Sequence, residues 1–150
     1  MAKSTDALAV AVTQLGVEEK PRGSNGGPEV SKYLASVGLP TGNSWCMAFV
    51  FWCFAQVGLA NQLIRTGGVL RQWNEKPGLR VKSPRPGDIM ILDYGKGLGH
   101  TGIVERVDGS VIHTIEGNTN SDGSREGYEV CRRTRQIEKC AGFLRVKDTA

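Results

Sequence analysis

The period of the hydrophobic pattern changes near Pro84, and that change decides the fold class. Before it, apolar residues recur at helical spacing. Ala7, Leu8, Ala11 and Leu15 mark a first helix over residues 5–19, with Thr5 or Asp6 available as its cap. Pro28 suits the first position of a second helix, whose face is Val30, Tyr33, Leu34 and Val37 and which Gly38 and Pro40 stop. A third, strongly apolar helix runs from about Trp45 to Val57, and a short one lies near Gly68–Trp73. Beyond Pro84 the segments Asp88–Tyr94, Thr101–Val107, Ser110–Glu116, Gly127–Thr134 and Ala141–Val146 read as short strands separated by glycine turns. Helices first and a run of strands second predict an α+β domain, with the N-terminal helices packed on an antiparallel meander sheet of about five strands.

A chain of 150 residues fits one domain, here read as 1–150 with its core at about 20–146. The net charge of +4 gives a mild attraction to polyanions, but the densest basic stretch, Arg132-Arg133-Thr134-Arg135, carries no nucleic-acid motif, so no nucleic-acid partner is expected. No apolar run approaches the roughly 20 residues of a membrane span, so no membrane insertion is expected. The N-terminus enters an amphipathic pattern instead of a signal-peptide core, which predicts a protein made in the cytoplasm without a cleaved leader. The four cysteines, Cys46, Cys53, Cys131 and Cys140, match no zinc spacing. Cys53 lies mid-helix and reads as core; Cys131 and Cys140 stand where two neighbouring strands would allow a disulfide, which the sequence leaves open.

Cys46 opens the third helix after a Gly-Asn-Ser-Trp loop. Unpaired N–H groups and the positive end of the helix dipole there favour a thiolate, and the same N–H groups suit an oxyanion. Alone, such a cysteine is usually a small core residue. His100 changes the balance: Gly99-His100-Thr101-Gly102 puts a base at a strand start, with glycines expected to leave space around the ring. The next strand ends Glu116-Gly117-Asn118, and Glu116 or Asn118 would hold the histidine tautomer. A three-residue loop, Val107-Asp108-Gly109 with Gly109 left-handed, would pair His100 directly with Glu116 and turn Val104 toward Ile112. A two-residue turn at Asp108-Gly109 would instead pair His100 with Gly117, and the first register is the expected one. In it His113, the rival third residue, points away from His100. Trp45, beside Cys46, is a candidate for lining a substrate groove; Trp52 reads as core.

At these residues the chain resembles the CHAP family. The resemblance rests on the Trp45-Cys46 helix start, Pro86-Gly87-Asp88-Ile89, Gly99-His100-Thr101-Gly102-Ile103-Val104 and Glu116-Gly117-Asn118, four motifs in the family's order. CHAP domains are cysteine, histidine-dependent amidohydrolases and peptidases with a papain-like core. By position the resemblance makes Cys46 the nucleophile, His100 the base, Glu116 the orienting acid and Asn118 a polar residue completing the site. It implies a hydrolase of bacterial peptidoglycan, cutting an N-acetylmuramoyl-L-alanine amide or a stem or cross-bridge peptide, with no cofactor. It also implies a monomer that acts in the periplasm or at the cell wall as a phage lysin or an injected effector, the latter with delivery machinery and an immunity protein as partners. A small-molecule amidase or acyltransferase on the same core, and a non-catalytic binding module, are the competing readings. Some CHAP domains bind calcium through acidic residues just before the cysteine. Val37 to Ser44 contains no Asp or Glu, so no metal is expected, and activity should survive a chelator. A loss with chelator that calcium restores would refute this.

Overall fold

The computed structural model describes residues 1–119 and 127–149. Four α-helices come first: α1 (Ser4–Thr13), α2 (Pro28–Ser36), α3 (Cys46–Gln56) and α4 (Val69–Glu75). The described strands follow: β1 (Arg80–Val81), β2 (Ile89–Gly95), β3 (Leu98–Asp108), β4 (Val111–Thr119), β5 (Glu129–Gln136) and β6 (Gly142–Leu144). The α+β architecture is as expected, but the sheet is more than a five-strand meander. Its spatial order is β1-β6-β2-β3-β4-β5, every pair antiparallel. Strands β2 to β5 form the meander, and β6 returns across the sheet to lie between β2 and β1. The two-residue β1 is too short to leave a periodic trace in the sequence.

The first helix ends at Thr13 instead of continuing to residue 19. Thr13 turns its hydroxyl back to the Val10 carbonyl at 2.6 Å, and the Gly16 N–H bonds to Val130 O at 3.0 Å. Residues 16–19 therefore run beside β5, where Glu18 bridges Glu129. Helix α3 is apolar all round, which requires burial all round. It lies between α1 and α2 on one side and β3 and β4 on the other.

Both faces of the sheet are covered. Ile89, Ile91, Ile103, Ile115 and Leu144 join the helices in the main core. Met90, Leu92, Val104, Ile112 and Phe143 form a second apolar cluster on the opposite face, closed by Val81, Ile137 and Cys140. The Pro86-Gly87-Asp88 start of β2 is a structural joint. The buried Asp88 carboxylate accepts Arg145 Nε and Nη2 at 2.9 and 2.8 Å and the Arg85 N–H at 2.8 Å, tying β2 to the segment after β6. The chain's two ends meet near this joint. The Ala2 N–H bonds to Thr149 Oγ1 at 2.9 Å, and the Thr149 N–H returns to Ala2 O at 2.8 Å.

The β3–β4 hairpin departs from the expected register. Asp108 pairs with Val111, so the turn is the two residues Gly109-Ser110, not the three-residue loop Val107-Asp108-Gly109. Gly109 does adopt the left-handed region, at φ 63°, as the first central position of a primed hairpin turn requires. A bulge at Glu105 then shifts the ladder by one residue, so Val104 faces Thr114 and not Ile112. Continued at this offset, the register sets Glu116 opposite Gly102 and Asn118 opposite His100. Turn and bulge together shift the ladder by two residues, so His100 and Glu116 still share a face, as diagonal neighbours instead of direct partners.

Candidate active site

Cys46 occupies the first position of α3, with Trp45 as the N-cap residue and no side chain capping the helix. The first intrahelical bond of α3 is from Phe49 N–H to Trp45 O, at 2.8 Å. The N–H groups of Cys46, Met47 and Ala48 precede it, and they find no acceptor among the described residues. Trp45 fixes this helix start. It is fully buried, stacks on Tyr33 with ring centroids 5.7 Å apart, and donates its indole N–H to the buried Glu19 carboxylate at 2.7 Å. The other Glu19 oxygen accepts the Gly23 N–H at 2.8 Å. Trp45 is therefore a packed support for the helix start and not the lining of a groove, for which it was only a candidate. Trp52 is partly buried and packs edge-on against Tyr33.

His100, third in β3, lies close enough to Cys46 at the start of α3 for the sulfur to favour the charged ring. Its Nε2 lies 2.7 Å from Glu116 Oε1, which leaves Nδ1 for the sulfur. The flanking glycines make room for other groups than the ring. A Cβ on Gly102 would sit 2.4 Å from Glu116 Cγ, and one on Gly99 would sit 2.9 Å from the Leu92 carbonyl. Gly102 is what lets the Glu116 side chain cross β3 toward His100.

Glu116 is fully buried and receives four hydrogen bonds. Besides His100, Arg135 of β5 donates Nη2 to Oε1 at 2.5 Å and Nε to Oε2 at 2.8 Å, and Thr114 Oγ1 donates to Oε2 at 2.6 Å. Burial alone would raise the carboxyl pKa, but hydrogen bonds from Arg135 and His100 hold it down at about 2. Burial likewise disfavours the charged imidazole. The bonds to Cys46 and Glu116 outweigh that and push the His100 pKa up to about 9. The pair therefore rests as imidazolium and carboxylate at neutral pH.

Asn118 adopts a left-handed backbone, φ 56°, at the irregularity that ends the regular β4–β5 register, and it makes no hydrogen bond to Cys46, His100 or Glu116. His113 lies on the face of β4 opposite Glu116, beside Arg106 Nη2 at 3.1 Å. Asp93 accepts the Gly95 N–H at 2.9 Å, and Tyr94 is exposed at the end of β2. All four cysteines are free thiols, Cys131 and Cys140 included.

Two participants were missed in the sequence. Glu19 gives no signal, because a carboxylate at the end of an expected helix reads as surface. Arg135 lies inside the Arg132–Arg135 stretch, where nothing in the sequence separates it from its neighbours. Alternation along β5 splits that stretch: Arg132 forks onto Glu105 at 2.8 and 3.0 Å, while Arg135 turns inward to Glu116. Among the described residues no group of three or more His, Cys, Asp or Glu side chains is placed to hold a metal ion. No described helix is long and apolar enough to cross a membrane.

A family model described as the CHAP domain matches residues 38–118, which is more than half of the chain and spans Cys46, His100, Glu116 and Asn118. The chain belongs to the CHAP family. No protein of curated function matches it in sequence. Among solved structures, this CHAP domain superposes on the endolysin LysIME-EF1 with a TM-score of 0.65 at 17% identity, over 100% of this chain and 67% of that one. It superposes on Ly7917 with a TM-score of 0.56 at 19% identity, over 96% of this chain and 62% of the other. A second structure of Ly7917, holding the hydrolysis product of MDP, gives a TM-score of 0.55 at 17% identity. At such identities the likeness is one of fold. The CHAP domain spans about two thirds of the length of these structures.

Proposed function

We propose that this CHAP domain hydrolyses an amide bond of bacterial peptidoglycan through a thioester on Cys46. The observation that carries the proposal is the line Cys46–His100–Glu116, with the thiol at an uncapped helix start and the far ring nitrogen held by a buried carboxylate. The cysteine attacks the carbonyl carbon, and the α3 N–H groups are placed to stabilise the oxyanion. His100, charged at rest, gives its Nδ1 proton to the leaving amine and so becomes the neutral base. It then takes a proton from the water that cleaves the thioester. Glu116 keeps Nε2 protonated throughout and offsets the imidazolium charge. The bond cut is either the N-acetylmuramoyl-L-alanine amide or a stem or cross-bridge peptide bond, both of which suit this chemistry. Family membership and the endolysin-like fold support peptidoglycan as the substrate. The setting we propose is the cell wall or periplasm, reached by release or by injection.

Digestion of purified sacculi, read by mass spectrometry, tests this. Muropeptides whose masses show one hydrolysed amide are expected, and those masses name the bond. Folded protein that releases none, yet turns over a small-molecule amide, would overturn the proposal.

A further inference from the structure

Glu116 is a carboxylate with every acceptor site occupied. Two oxygens offer about four lone-pair directions, and His100, Thr114 and the two Arg135 nitrogens fill them. Arg135 reaches in from β5, across the ladder from β4, and its fork fixes the carboxylate plane as a single ammonium would not. Its side chain is 18% exposed and Glu116 is not exposed at all, so the pair lies largely out of water. The other charged or titratable groups on this face are Arg133 of β5, whose Nη1 donates to Thr119 Oγ1 at 3.0 Å, Cys131, directly across from Glu116 on β5, Cys140 after β5, and Tyr94 from β2. Burial pushes both thiols up to about 11, so they stay neutral and supply no counter-charge. Among the described residues, Arg135 is the fixed cation that balances Glu116 whatever the state of His100.

We infer that Arg135 is a positioning residue for the hydrolytic site: by filling the outer lone pairs of Glu116 it keeps that carboxylate an acceptor only, and so holds the His100 ring with Nε2 protonated and Nδ1 turned to Cys46. The inference rests on the Cys46–His100–Glu116 reading given above. Without Arg135 two lone pairs of a buried carboxylate would be open. Glu116 would then bind a proton in the working pH range and donate it, and the neutral ring would lose its preference between tautomers.

The chain has two histidines, so His113→Gln isolates the His100 ring signals in nitrogen-15 spectra. In that background wild-type Arg135 should give the Nε2-protonated tautomer once the ring is neutral, above about pH 9. Arg135→Met should give a mixture of tautomers. Its kcat should fall about 100-fold at unchanged KM, the size of effect that a small misplacement of a reacting group produces. The loss should deepen as pH falls from about 7 to about 5, because Glu116 is then protonated. Arg135→Lys, which keeps the charge without the fork, should fold and lie between the two. A wild-type tautomer and an unchanged pH profile in Arg135→Lys and Arg135→Met would overturn the inference. Should Arg135→Met fail to fold, the tautomer and profile of Arg135→Lys decide. The spectra need no substrate, so a wild-type enzyme that ignores peptidoglycan would defeat the functional reading and leave this test standing.

Discussion

Cys46→Ala should abolish muropeptide release while leaving the protein folded. Loss of a covalent nucleophile costs about 10⁴-fold or more in kcat, because the remaining oxyanion and binding groups cannot form the acyl intermediate. The thiol is small and sits at the helix start, so its removal should shift stability by about 1 kcal/mol or less. Cys53→Ala is the internal control. Cys53 is fully buried in the same helix, and burial pushes its thiol well above the ordinary cysteine range, so it is not ionised. That variant should lose about 1–2 kcal/mol of stability and keep its activity. If Cys46→Ala digested sacculi as wild type does, the nucleophile would lie elsewhere and the thioester mechanism would fall. If Cys53→Ala were the inactive variant at unchanged fold, the assignment of the two thiols would be reversed.

Glu116→Gln should lose both activity and stability, for one reason. The amide keeps the shape of the carboxylate but brings two donors of its own into a site that already holds His100, Arg135 and Thr114 as donors. Breaking a buried ion pair from one side costs about 3 kcal/mol, which for a domain of this size lowers Tm by roughly 10 °C. The kcat should fall by about 10³- to 10⁴-fold, as when a triad acid is replaced by its amide.

The pH dependence carries the finer test. The folded-state pKa of His100 is raised from 6.5 to about 9, so the stability from charging His100 is complete below about pH 6.5 and is lost as pH rises through about 9. The Tm gap between wild type and Glu116→Gln should therefore narrow from pH 6 to pH 10, without closing, because the Arg135 pairing persists. In wild type the alkaline limb of kcat/KM should fall near pH 9, and in the variant it should move down toward 6.5. A gap that is constant across this range, with coincident limbs, would mean that Glu116 does not hold the charge on His100.

Much of this was legible in the residues. The change of period near Pro84 gave the α+β order because α3 is apolar enough to require burial and β2 to β4 alternate or run apolar. Cys46 and His100 were readable because each stands at an element boundary, and boundaries are marked by glycines and loop residues. What failed depended on one inserted residue or on distant partners. The bulge at Glu105 moves the β3–β4 ladder by one position, and no side chain in the hairpin signals it, since Glu105 itself is an ordinary charged strand residue paired with Arg132. Strand β6 found its place only through pairing with β1 and β2, both far from it in sequence. Arg135 was invisible because β5 shows polar residues on both faces, so alternation could not say which one is inside.

The seam between Ala2 and Thr149 has a topological meaning. It clasps the segment before α1 to the segment after β6, beside the Asp88–Arg145 joint, so the first and last stretches of the domain share one patch of its surface. Anything tethered to the domain, from either end, is also held at the same address on its surface.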